Sequence, residues 1–189
     1  TAHSSCTLKA DGSVTSYDPQ IYWQSMGAHS VNAWYANISD NHTSDNAIDI
    51  SDQSNGLAYV LKSEPTTHTY YDNKSTIALR FTHQLAKVRV MLTDVSGNAL
   101  NTTTAAVEIR QCYTACNISN GNITPVGKAN GNVKMMHPTD TGGYFEANVI
   151  PDDNGISRQK HALNVEVNGK KTTASLAQAV TFEKGKIYT

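Results

Sequence analysis

IALRFTHQLAKVRVMLTDVSG, spanning Ile77 to Gly97, changes phase in its middle. Ile77, Leu79, Phe81, His83 and Leu85 hold odd positions, whereas Val88, Val90 and Leu92 hold even ones. Side chains on a strand alternate strictly between its two faces, so one straight strand cannot carry both sets. A bulge or a short turn is therefore expected between Gln84 and Lys87. His83 shares the parity of the apolar set. Its expected role is that of a neutral ring buried inside the fold and hydrogen-bonded to backbone, not that of a ligand or switch.

The same two-residue period continues outward on the C-terminal side. Val107 and Ile109 alternate with Glu108 and Arg110, and Phe145, Ala147 and Val149 with Glu146 and Asn148. Leu163, Val165 and Val167 close the series, and no helical period competes with it. Asn168-Gly169 is a two-residue hairpin signal that pairs Val165 with Thr172 and Leu163 with Ala174. Further polar turns stand at Ser96-Gly97-Asn98, Asn120-Gly121-Asn122, Asn130-Gly131-Asn132, Gly142-Gly143 and Asp152-Asp153-Asn154-Gly155. The expected class is all-β, an antiparallel sandwich or barrel.

On the N-terminal side the pattern thins. Residues 62–75 carry little alternation and read as a linker. Before them, strands are expected around Val14, Ile21 to Trp23, Val31 to Tyr35, and Leu57 to Leu61. Four strands make a marginal core. The expected division is an incomplete N-terminal β domain, 1–70, and a C-terminal sandwich of about seven strands, 75–189.

Composition excludes more than it specifies. Of 189 residues, 39% are hydrophobic and 16% charged, with Lys+Arg 15 against Asp+Glu 16. Thr, Asn and Ser number 21, 17 and 16 and fill the gap. A net charge of −1 fits neither a charged disordered tail nor a broad basic face for nucleic acid. No apolar run is long enough to span a membrane.

Chemistry-bearing motifs are missing. The seven histidines are scattered, with no HExxH, and there is no GxSxG elbow, phosphate loop or dinucleotide fingerprint. Asp45, Asp49 and Asp52 do not have the spacing of a calcium loop. No enzyme, metal or cofactor is expected. Cys6, Cys112 and Cys116 are an odd set. On a continuous strand Cys112 and Cys116 would stand roughly 13 Å apart, beyond disulfide reach. They either bridge a turn at Thr114 or remain separate thiols. Trp23, Trp34, Tyr35, Tyr70 and Tyr71 either belong to cores or form a stacking platform for sugars. Six Asn-x-Ser/Thr triplets, at Asn37, Asn41, Asn73, Asn101, Asn117 and Asn122, are mostly what an Asn- and Thr-rich composition generates.

FTHQLAKVRVMLTDVSG, 81–97, resembles the segment that marks the fimbrillin family, the subunits of Bacteroidetes fimbriae. Three shorter stretches echo that family in order: Trp23 with Val31-Asn32-Ala33-Trp34-Tyr35, Tyr144 to Pro151, and Val180 to Tyr188. The resemblance implies two transthyretin-like antiparallel β-sandwich domains and a structural or tip subunit of a surface fimbria, outer-membrane associated or secreted. It gives Phe81, His83, Leu85, Lys87, Val88 and Val90 a structural role. It also implies subunits joined by strand exchange, in which a neighbour's strand fills a groove. The thin N-terminal half places that groove beside Val31, Ala33, Tyr35, Leu57, Tyr59 and Leu61, with the Phe182 to Tyr188 strand as a candidate occupant. The partners implied are other fimbrial subunits and surface glycans or proteins. The competing reading is a secreted or surface-attached carbohydrate-binding sandwich.

Overall fold

The structure, a computed structural model of the chain, describes residues 2–38, 47–71, 77–100, 102–137, 143–151, 162–176 and 179–189. These residues hold strands and no helix. They divide into two compact units, one of 1–31 with 65–78 and the other of 32–64 with 79–189.

The small unit contains two ladders. Strands β1 (Ser5–Leu8) and β2 (Val14–Asp18) form an antiparallel hairpin, exposed along its whole length. After β3 (His29–Val31) the chain leaves this unit, passing through β4 (Trp34–Ala36), β5 (Ile48–Asp49) and β6 (Val60–Ser63). It returns as β7 (Thr66–His68), which pairs with β3, Val31 opposite Thr66. Residues 62–75 are therefore not a plain linker. Ile21 to Trp23, expected as a strand, is irregular.

The large unit has two apolar clusters, each between two sheets. The first lies between β13-β10-β15-β16 and β14-β9-β17. These strands are β9 (Ala86–Met91), β10 (Ala106–Cys112), β13 (Gly131–Lys134), β14 (Tyr144–Val149), β15 (Ala162–Val167), β16 (Lys170–Ser175) and β17 (Ile187–Tyr188). Val88, Val107, Ile109, Val133, Phe145 and Val149 fill this core from both sheets. The second cluster lies between β4-β6-β8 and β12-β11-β5, where β8 is Phe81–His83, β11 Ala115–Ser119 and β12 Asn122–Val126. Ala36, Ile48, Val60 and Cys116 meet there.

The phase change in 77–97 is the point where the chain changes sheets. β8 pairs with β6, the chain bends at Gln84-Leu85, and β9 then pairs with β14. Leu85 enters the second cluster and Ala86 the first. Val149 and Ile150 divide the same way, as do Cys112 and Cys116. Both of these cysteines are buried, and neither is in a disulfide.

Two expectations need correction. Residues 32–64 belong with the C-terminal chain, because β4 and β6 reach β8, and β5 reaches β11. The linear division into 1–70 and 75–189 does not describe this arrangement. His83 is exposed, since its parity faces away from the second cluster while Val60 and Ala36 face into it.

Candidate functional site

Edge strands with unpaired backbone are both a liability and a means of joining chains, and the large unit closes several of its edges. Two are sealed by the segment following β5. The Lys134 amide of β13 donates to the Ser51 carbonyl at 2.7 Å, and the Gln53 amide donates back to Lys134 at 3.1 Å. On β14, Glu146 exchanges backbone bonds with Met136 at 2.9 and 2.7 Å. Gln53 covers the next position with its side chain, its Nε2 donating to the Asn148 carbonyl at 2.7 Å.

Other edges are protected by residue type. β12 contains Pro125, which has no amide to donate. β16 opens with Lys170-Lys171 and is exposed throughout, and a lysine-bearing edge discourages pairing. The outer strands of the β4-β6-β8 sheet contain neither proline nor lysine. Their sequences are Trp34-Tyr35-Ala36 and Phe81-Thr82-His83.

The face of that sheet turned away from the second cluster is aromatic. Register places Tyr35 opposite Leu61 and Leu61 opposite His83, a row across all three strands. Tyr35 is 51% exposed and Phe81 38%. The Tyr59 ring lies 5.9 Å from that of His83. Tyr35, Tyr59 and Leu61, predicted from sequence, thus come together with Phe81 and His83, which had been assigned only a structural role. Val31 belongs to the small unit, and Ala33 precedes β4. Leu57 is buried. Tyr59 and Leu61 accompany the central strand β6, which has a neighbour on each side, so they can floor a groove but cannot pair an incoming strand.

The remaining predicted residues lie beyond the crossing. Val88 and Val90 face the first core. Lys87 and Arg89 lie on the other face of β9, where both engage Glu146, Nζ at 3.0 Å and Nε at 2.7 Å. Burial pushes the Glu146 carboxyl up, but the two cations outweigh it and hold it below its ordinary value. The C-terminal segment docks on this stretch. Gly185 N–H donates to the Leu85 carbonyl and Lys87 N–H to that of Lys186, at 3.1 and 2.9 Å. Phe182 is buried in the first core, and Tyr188 donates its hydroxyl to the Thr181 carbonyl at 3.0 Å. The Phe182 to Tyr188 segment is thus built into its own sandwich. Donating it to a neighbour would first require its extraction.

The chemistry elsewhere is quiet. Glu108, Asn164 and Thr173 form a hydrogen-bonded row beside an open cavity of about 410 Å³. Burial pushes the Cys116 thiol up to about 11, which leaves it un-ionised and unreactive. Among the described residues no three His, Cys, Asp or Glu side chains cluster for a metal, and no helix is long and apolar enough to cross a membrane.

A family model described as fimbrillin-like matches residues 1–189. The chain belongs to the fimbrillin-like family. Two stretches read from sequence as fimbrillin-like meet in space, Leu85 to Val88 pairing with Gly185 to Tyr188. A solved Bacteroides uniformis structure ascribed to cell adhesion is similar, with TM-score 0.67 and 18% identity over 94% of this chain and 71% of that one. At that identity the likeness is one of fold. Two further structures ascribed to cell adhesion match more loosely. That from Bacteroides thetaiotaomicron has TM-score 0.46 and 15% identity over 69% of this chain and 54% of its own. That from Bacteroides fragilis has TM-score 0.49 and 15% identity over 97% and 65%. No curated relative matches the sequence.

Proposed function

We propose that the chain is a structural or tip subunit of a bacterial surface fimbria that contributes to cell adhesion. The fimbrillin-like match over residues 1–189 carries this reading. Adhesion is also what the similar solved structures are ascribed to. The β4-β6-β8 sheet supplies a physical route to assembly. A strand added beside Phe81–His83 would gain backbone hydrogen bonds and lay alternate side chains against Tyr35, Leu61 and Phe81. Its partners are then other subunits of the same filament, at the outer cell surface.

Two measurements test this. Immunogold electron microscopy should place the protein on surface filaments, and label absent from filaments would refute the reading. Tyr35→Lys and Phe81→Lys put charge on the exposed face and should abolish high-mass assemblies while the monomer melts within a few degrees of wild type. Assembly that persists in both variants would remove the strand-addition route.

A further inference from the structure

The aromatic residues of the small unit do not form a core. None of its described residues is buried, yet its rings are organised against one another. Trp23 meets His29 at 5.7 Å and 62°, and Tyr70 at 6.5 Å and 84°. Tyr70 meets Tyr71 at 5.6 Å and 76°. The Tyr71 hydroxyl donates to Met26 Sδ at 3.0 Å. Segments more than forty residues apart are thereby held together at the surface, with Met26 64% and Tyr71 61% exposed. A contiguous apolar cluster left in water is a candidate binding surface.

Trp23, Ser25, Met26 and Tyr70 border a cavity of about 270 Å³. The indole and phenol planes stand nearly at right angles, so the cavity has two aromatic walls. Ser25 Oγ accepts from the Gly27 amide at 3.2 Å and lies 3.0 Å from His29 Nε2. A hydroxyl has one donor and two acceptor positions, so one of the three stays open to a ligand. None of these four described residues is charged.

We propose that this corner binds one ring of a neutral saccharide, as presented by a surface glycan. A pyranose has an apolar C–H face and a rim of hydroxyls, matching an aromatic wall beside a serine hydroxyl. An anionic sugar would need a cation, and among the described residues none borders the cavity. A quaternary ammonium could lie on the same rings, but among the described residues no carboxylate borders the cavity to offset its desolvation. The volume lies below the range that encloses drug-sized ligands and suits a single ring. Trp34 and Tyr35, grouped with these aromatics by sequence, lie in the other unit and take no part.

The test is retention of the full chain on a printed array of neutral and sialylated glycans, read beside thermal melting. Wild type should be retained by neutral glycans. Trp23→Ala should weaken retention roughly tenfold, the scale of one lost aromatic contact, without moving the main melting transition. Ser25→Ala keeps every ring and separates binding from loosening of the small unit; it should weaken retention several-fold. Retention unchanged in both variants, retention confined to sialylated glycans, or no retention at all would each overturn the site. None of these results bears on filament assembly.

Discussion

Gln53 and Asn148, ninety-five positions apart, pair in the interior as two strands would. Gln53 Nε2 donates to the Asn148 carbonyl at 2.7 Å, and Gln53 Oε1 accepts from the Asn148 amide at 3.1 Å. The same Oε1 takes the Ala58 amide at 2.9 Å, while Asn148 Nδ2 donates to the Ala58 carbonyl at 2.6 Å. Gln53 is 2% exposed and Asn148 3%. One side-chain amide thus replaces a missing strand on the edge of β14 and ties the 50–58 segment to the first sandwich.

Gln53→Ala should therefore cost more than its lost contacts. It leaves the Asn148 and Ala58 backbone groups buried without partners, a penalty of about 2–4 kcal/mol in urea unfolding. The unsealed β14 edge should also raise concentration-dependent association. A loss under about 0.5 kcal/mol, the scale of an ordinary surface substitution, would mean that the network is not structural.

Glu146 predicts a pH dependence. Its carboxyl is held below the ordinary value of 4.5 in the folded chain. A depressed carboxyl stabilises the fold above its unfolded value, and that contribution is lost as pH falls through the folded value. Melting temperature should drop from pH 4.5 downward, and Glu146→Gln should flatten part of that fall. At pH 7 the variant should lose about 1–3 kcal/mol, below the cost of breaking a fully buried pair because Arg89 is more than a third exposed. Equal slopes in wild type and variant would refute the assignment.

Asp52 adds an exposed contribution at lower pH. Ser54, through its hydroxyl and amide, and then Lys134 hold this carboxyl at about 2. Asp52→Asn should reduce the stability change between its ordinary 3.8 and that value, as read by the same melts.

Gly121 marks a close approach. Its φ is +74°, and a Cβ there would stand 2.5 Å from Trp34 Cβ. Gly121→Ala should destabilise by about 2–4 kcal/mol, combining left-handed strain with displacement of the hairpin from Trp34. Gly97, at φ +85° with open space around it, isolates the strain alone. Gly97→Ala should cost about 1 kcal/mol, and equal losses at the two positions would mean that Trp34 is not crowded.

The thiols should separate by accessibility. Cys6 is exposed, whereas Cys112 and Cys116 are buried and not in a disulfide. Iodoacetamide at pH 8 should add one label to the native chain and three after denaturation, counted by intact mass. A denatured chain that takes only one label would reveal a bridge.

Local pattern alone determined most of the C-terminal strands and one full register. Asn168-Gly169 takes φ 50° and 75°, and Val165 opposes Thr172 and Leu163 opposes Ala174 as the hairpin rule requires. The phase change at Gln84–Lys87 was equally legible, because strict alternation forbids it within one strand. Which face lies inside was not. Phe81 and His83 keep the parity of Leu79, but only the positions of Val60 and Ala36 show that this parity faces outward. The partners of residues 32–64 were hidden for the same reason, since β4, β5 and β6 carry no local mark of β8 or β11. Gln53 showed nothing in sequence, because its role depends on backbone groups ninety-five residues away. Alternation is a property of neighbours along the chain. Facing, pairing and edge closure are decided only when distant segments compete for the same buried surface and the same hydrogen bonds.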